Sequence, residues 1–420
     1  MQGNYLHILC PPLWERLPPL GPAYLLSFIN EKAYFYDLNV RLFGSAPDSM
    51  KKKWTIQKEL TEEEFFNYFF SNYYGYFEEI LNIIERNKID FAGFSIFNIN
   101  RTFTLKTINF IKRHFPLLKI LLGGPEVFSS YINRLDYPEA DYIVVGEGEI
   151  PLYKILHKIA DNNIFIFEEM KSIDFYPRFE GFDLDLYSRK NSLPIMFGRG
   201  CINRCNFCSE RLLYKRYKSC NLNLAIEAIE YYIKNYKTKW FTFYDSMLNA
   251  NLKLFENLME RIIEKKLDII WDAQIGIKKE MNEEIFYKMK SSGCINLFIG
   301  LESGSDTLLK KMGKRFNTSE AREFFKKLNR EKIHFEVSLI VGYPDETEVE
   351  FQETLTFLKD NITLIPKIAQ VSIFKNYPGI SARKITRNEE LIALKRLEIL
   401  IDFFEKNNIN YTRSYINNLI

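Results

Sequence analysis

The chain has 420 residues, 57 basic and 54 acidic, with a net charge of +3; 46% of its residues are hydrophobic and 26% charged. This length suggests two or three domains, and the balance is that of a globular chain, not a disordered or disulfide-scaffolded one, since six cysteines are too few for the latter. Near-balanced charge gives no overall pull toward nucleic acid or membrane, no apolar run reaches the ~18 residues of a membrane span, and the start MQGNYLHILCPP does not read as a signal peptide, so the expected location is the cytoplasm.

Residues 1–160 alternate short apolar runs with helical patterns. YLHILC (5–10), AYFYDL (33–38), FAGFSIF (91–97), KILLGG (119–124) and DYIVVG (141–146) read as buried strands. TLKTINFIKRHF (104–115) has apolar residues three and four apart, as an amphipathic helix does. The alternation predicts an α/β fold with a doubly wound, Rossmann-like parallel sheet. Residues 49–77, dense in aromatics and charges, predict a helical insertion that serves more simply as core than as an apolar substrate entrance.

Residues 161–192 break the pattern with Pro, Gly and mixed aromatic and acidic residues, and read as a linker. The alternation resumes over 193–385. PIMFGR, KWFTFYD, DIIWDAQ, INLFIGLES, HFEVSLIVG and IAQVSIF are six strand candidates, with amphipathic helices such as 224–237, 254–266 and 348–360 between them. Six such units predict a partial (β/α)6 TIM-type barrel whose ligands lie at the C-terminal strand ends. Residues 386–420 form a C-terminal helical tail, expected to pack on the barrel or on the first domain.

GRGCINRCNFCSE places Cys201, Cys205 and Cys208 as C-x3-C-x2-C, just after the first barrel strand, with Gly198 and Gly200 flanking the turn. Three thiolates cannot complete a tetrahedral zinc site. They can hold three irons of a [4Fe–4S] cluster and leave the fourth open to another ligand. The plainer alternative is a zinc knuckle that borrows a distant histidine such as His334.

The triad after a strand resembles the radical S-adenosylmethionine (SAM) superfamily. The resemblance implies that the open iron binds SAM, and that one electron from the cluster cleaves its sulfonium C–S bond to a 5′-deoxyadenosyl radical, which abstracts a substrate hydrogen. It implies further SAM contacts by position. Phe207 stands between the last two cysteines, beside the adenine. FTFYDSM (241–247) brings Tyr244, Asp245 and Ser246, with Asp245 accepting from the SAM ammonium. GLESGSDTLLKKMGK (300–314) brings Glu302 and Ser303, and VSLIVGYPDET (337–347) brings Ile340 and Gly342. NYPG (376–379) matches the turn after the sixth strand. Gln274 departs from the pattern, since many relatives carry Arg there.

The N-terminal half resembles the cobalamin (B12)-binding-type domain that precedes the radical SAM core in one subfamily. PPLGPAYL (18–25), FYDLN (35–39), GFSIFN (93–98), LLGGPEV (121–127) and VVGEGE (144–149) carry the match. It implies corrin contacts from Leu20, Gly21, Asn39, Ser95, Gly123, Gly124, Glu126, Gly146, Glu147 and Gly148. The glycines lie where backbone approaches a large planar ligand. The cobalt-binding Asp-x-His-x-x-Gly motif is absent, and His7, His114, His157 and His334 all lie outside any such motif. Cys10, Cys220 and Cys294 read as buried small hydrophobes.

The expectation is therefore a cobalamin-dependent radical SAM methyltransferase with a [4Fe–4S] cluster, SAM and cobalamin as cofactors. It would act on an unactivated carbon of a small-molecule or natural-product substrate and draw electrons from a flavodoxin or ferredoxin. The alternatives are radical chemistry without methyl transfer, such as cyclisation, rearrangement or oxidation, and a redox or iron sensor. Methylthio transfer lacks a second cysteine triad, and no nucleic-acid motif appears.

Overall fold

A computed structural model describes residues 3–29, 32–54, 60–133, 137–377 and 379–412. The chain divides into two compact units, Met1–Pro194 and Ile195–Ile420.

Six parallel strands form the first sheet: β1 (Tyr5–Leu9), β2 (Ala33–Asp37), β3 (Phe91–Ser95), β4 (Lys119–Gly123), β5 (Tyr142–Val145) and β6 (Ile164–Ile166), in the order β2-β1-β3-β4-β5-β6. The order reverses between β1 and β3, which is the flavodoxin-like variant of a doubly wound sheet, and ligands of such sheets bind at that switch point. Every residue of β1 is buried, as a strand covered by helices on both faces requires. The segment read as a linker is partly structural, because its residues 164–166 supply β6.

The insertion over residues 49–77 forms helices Asp48–Lys51, Glu62–Asn72 and the start of Tyr74–Arg86; its residues 55–59 lie outside the described set. Thr61 and Glu64 cap the Glu62 helix reciprocally. Phe65, Phe66, Phe69 and Phe77 are buried; the first three meet Phe103 or Trp54 edge to face, and Phe77 meets Phe66 edge to face and stacks on Phe103. These aromatics are core.

The second sheet comprises β7 (Ser192–Ile195), β10 (Trp240–Phe243), β11 (Ile270–Ile275), β12 (Cys294–Glu302), β13 (His334–Val341) and β14 (Ile368–Ile373). They run in chain order across the sheet, and β10 to β14 pair in parallel. Between β7 and β10 lies the two-stranded ribbon of β8 (Gly198–Arg199) and β9 (Lys218–Ser219). PIMFGR is thus two strands, not one. The Phe197 N–H donates to Asp245 Oδ2 at 2.9 Å, and that bond draws the chain out of the ladder. The final helix, Arg387–Lys406, packs on β13 and β14. Gly342 ends β13 with φ +71°, and a Cβ there would meet the Ala393 Cβ at 2.2 Å.

Candidate functional site

In a closed barrel the inward side chains are bulky aliphatics that fill the lumen. Here Thr242, Asp272, Gln274 and Asn296 point into a cavity of about 720 Å³. On β12, Asn296 and Phe298 line it while Leu297 and Ile299 are buried on the opposite face, the alternation a pleated strand imposes. Cys201, Cys205 and Cys208 line the same cavity, with Phe207, Tyr244, Asp245, Ser246 and Glu302.

Gly200 makes the turn into the cysteine loop at φ +77°, with the Arg216 carbonyl 3.1 Å from where a Cβ would stand. Asn206 fastens the loop. Its N–H donates to the Met312 carbonyl at 2.9 Å and its Nδ2 to the Lys311 carbonyl at 2.8 Å. Both carbonyls end helix Asp306–Met312, whose last turn would otherwise leave acceptors unpaired. Gly313, at φ +78°, closes that helix against the loop; a Cβ there would stand 3.4 Å from the Arg204 carbonyl.

Burial raises the pKa of all three thiols, Cys208 to about 11. The Asn203 N–H already points at Cys201 Sγ, 3.4 Å away. Among the described residues, no three Cys, His, Asp or Glu side chains converge on a single ion. His334 opens β13, is exposed, and bonds the Asn296 side chain at 2.7 Å. It is not among the residues that line the cavity with the three cysteines; three thiols with a fourth position left open are a donor set that an iron–sulfur cluster accepts.

Sequence reasoning missed two residues. Lys314 Nζ lies 3.0 Å from Glu302 Oε1 and 2.9 Å from the Gly300 carbonyl, and 5.4 Å from the Phe207 ring centre. Burial alone would lower its pKa; the charge of Glu302, with Cys205 and Cys208, outweighs that and raises it. Glu210, two residues past Cys208, lines the cavity, and its carboxylate accepts from the Ser246 hydroxyl. Burial raises its pKa.

The expected SAM contacts are not all brought together. Asp245 is buried; Oδ2 serves Phe197, while Oδ1, also buried, has no partner among the described residues. Ile340 lines a smaller cavity of about 370 Å³ with Phe207, Glu302 and Ser338. Ser303 lines neither cavity. Its hydroxyl pairs with Thr354 at 3.0 Å and accepts the Ser305 N–H at 3.0 Å, at the start of the following helix. Gly342 also lies outside both. Its N–H donates to Glu346 at 2.7 Å, and its lack of a side chain serves Ala393. In NYPG, Pro378 lies outside the described residues.

In the first unit, the residues expected to meet a corrin follow the C-terminal ends of β1 to β5, on one edge of the sheet. Their roles differ. Gly21 is open, with nothing within 4 Å of an added Cβ, and at Gly123 nothing stands closer than 3.8 Å. Those two leave room for a flat ligand. At Gly124 a Cβ would meet the Ile96 carbonyl at 2.6 Å, at Gly146 the Phe167 ring at 3.0 Å, and at Gly148 the Leu25 side chain at 2.8 Å. Those three serve the protein's own packing. Asn39 Oδ1 accepts from the Leu13 N–H at 2.7 Å and Trp54 Nε1 at 3.0 Å, and its buried Nδ2 has no partner among the described residues. Glu147 Oε2 accepts the Met170 N–H. Ser95 bonds His7 Nε2 at 3.2 Å. Glu126 stands in the first turn of helix Pro125–Ile132, its pKa raised by burial, and Leu20 begins helix Leu20–Ile29.

None of this unit's histidines sits on that edge. His7 is inside β1, with a pKa lowered to about 3 by burial. His114 ends helix Arg101–His114 and His157 follows helix Glu149–Leu156, at the opposite edge. Cys10, just past β1, is a buried thiol raised to about 12 by burial.

No described helix is long and apolar enough to cross a membrane. Residues 195–358 match the radical SAM superfamily and residues 56–156 the B12 binding domain. The chain is 25% identical to an uncharacterized methyltransferase of Pyrococcus horikoshii, over 86% of this chain and 77% of that protein. It is 27% identical to bacteriochlorophyllide d C-12(1)-methyltransferase of Chlorobaculum tepidum, over 46% of this chain and 42% of that one. The fold resembles that of the radical SAM methyltransferase TsrM of Kitasatospora setae, solved with cobalamin and a [4Fe–4S] cluster. That likeness has a TM-score of 0.67 at 15% identity and covers 91% of this chain and 77% of that one. The chain thus carries a B12-binding domain over residues 56–156 ahead of a radical SAM domain over residues 195–358.

Proposed function

We propose that this protein transfers a methyl group to an unactivated carbon of a small-molecule or natural-product substrate. The observation that carries the reading is one cavity lined by Cys201, Cys205 and Cys208 in a chain that also holds a B12-binding domain. When bound, the cluster and SAM supply a 5′-deoxyadenosyl radical and cobalamin supplies the methyl group.

The chain's own residues bind and orient. The three cysteines hold the cluster. The unpartnered Asp245 Oδ1 accepts from the SAM ammonium, and Phe207 and Ile340 offer apolar surface to the adenine. Lys314 holds Glu302 at the cavity wall. Gly21 and Gly123 would leave the first sheet's C-terminal edge open to a corrin, and His7, His114 and His157 lie away from that edge. The two relatives above are named as methyltransferases, which favours methyl transfer over ring formation or oxidation. Methylthio transfer is disfavoured, since Cys10, Cys220 and Cys294 are each buried, just past β1, just past β9 and at the start of β12, and form no second triad in the sequence.

The test is anaerobic reconstitution with iron, sulfide and hydroxocobalamin, followed by SAM and reductant. Methyl transfer predicts a corrin retained on the chain and formation of both 5′-deoxyadenosine and S-adenosylhomocysteine. Formation of 5′-deoxyadenosine alone, with no corrin retained, would leave a radical SAM enzyme of another reaction.

A further inference from the structure

The connection between β1 and helix Leu20–Ile29 displays one aromatic side chain that the fold does not use. The backbone on either side of Trp14 is pinned. The Leu13 N–H donates to Asn39 Oδ1 at 2.7 Å, and the Leu13 carbonyl accepts from Trp54 Nε1 at 3.1 Å. The Glu15 and Arg16 carbonyls accept the Ser188 and Arg189 N–H groups, each at 3.1 Å. Leu13 and Leu17 are buried, but Trp14 is 58% exposed. Trp54 and Trp271 are buried and Trp240 is half-buried. Among the described residues the Trp14 ring meets no other ring, and its Nε1 has no acceptor. A large apolar ring held out by a backbone fixed on both sides is a surface kept ready for something flat.

Its place in the sheet says what. Trp14 follows β1, where the strand order reverses between β1 and β3, and ligands of such sheets bind at that point. Gly21, seven residues on, leaves open space beside it in the chain. Asn39, whose Oδ1 is taken up by Leu13 and Trp54, is a strut of this loop. His7, His114 and His157 lie away from this edge.

We propose that Trp14 lays its indole against the corrin face turned toward the first sheet and keeps water from that side of the cobalt. The inference rests on the B12-binding reading above. An indole offers a broad, rigid apolar face to a macrocycle. Its one nitrogen is a donor only and has no lone pair for a metal, so Trp14 shields the cobalt and does not ligate it. An apolar cover controls solvent access to a metal, and through it the metal's electronics.

The experiment loads the full chain anaerobically with hydroxocobalamin, reduces it to cob(II)alamin and records its electron paramagnetic resonance spectrum without SAM. The wild-type chain should show cobalt with neither a nitrogen nor a water on the covered side. Trp14→Phe should keep that spectrum. Trp14→Ala should give the water-ligated spectrum and hold the corrin about tenfold more weakly, the worth of one aromatic contact. Trp14→His puts a lone pair where the indole stood, and should add the three-line nitrogen splitting. Trp14 is exposed, so all three variants should melt with the wild-type chain. A Trp14→Ala chain with wild-type spectrum and affinity, beside a Trp14→His chain without nitrogen splitting, overturns the proposal. A wild-type chain that retains no corrin would instead strike the B12-binding reading, and the proposal with it.

Discussion

Lys314 and Glu302 meet at 3.0 Å with side chains only 11% and 10% exposed, and Glu302 holds the left-handed φ of +69° that few non-glycine residues adopt. Ser338 donates a second bond to the same carboxylate at 3.0 Å. The pair thus fixes the end of β12 where it lines the cavity. Breaking a buried pair from one side strands the other charge, at a cost of about 3–5 kcal/mol. Lys314→Met should lower unfolding free energy in urea by about 3 kcal/mol, and Lys314→Met with Glu302→Gln should recover at least half of that. A single-variant loss below about 0.5 kcal/mol, the scale of a surface pair, would show the contact to be unimportant.

Gly342 supplies a packing test. An alanine there meets Ala393 and takes a strained φ. Gly342→Ala should cost about 2–3 kcal/mol, through overpacking and backbone strain together. Adding Ala393→Gly should restore the packing share and leave the strain. If the second change restores nothing, the close approach of the final helix is not what Gly342 serves.

Asp245 carries a pH signature. Burial pushes its carboxyl from 3.8 up to about 7. A folded state that binds the proton more tightly than the unfolded one gains stability that is complete below about pH 4 and lost as pH rises through about 7. Asp37, raised to about 6 by burial, acts in the same sense. His7, lowered to about 3 by burial, acts in the opposite sense and loses stability as pH falls below about 6.5; the two carboxyls together outweigh it, so the metal-free chain should melt at a lower temperature at pH 7.5 than at pH 4.5. Asp245→Asn should reduce that difference without removing it. An undiminished difference in the variant would assign the pH dependence to other groups.

Much of this was legible in single stretches of sequence. Apolar runs bounded by turns marked ten of the strands, and the cysteine spacing marked the cluster ligands, because both signals are local. What escaped depends on partners far along the chain. Nothing near Lys314 distinguishes it from Lys310 or Lys311; its burial follows from Glu302, twelve residues away. Ser303 reads like a cavity residue, yet its hydroxyl turns to Thr354. Gly124 and Gly148 read as ligand cradles, yet they face Ile96 and Leu25. A glycine announces close approach but not what approaches.

The cluster assignment is tested most directly by iron and sulfide analysis of the anaerobically reconstituted chain beside Cys201→Ala, Cys205→Ala and Cys208→Ala, with 5′-deoxyadenosine measured after SAM and dithionite. The wild-type chain should hold about four irons and four sulfides and cleave SAM, and each variant should lose cleavage with most of its iron. A Cys205→Ala variant that keeps its full iron content and cleaves SAM at the wild-type rate would contradict the assignment.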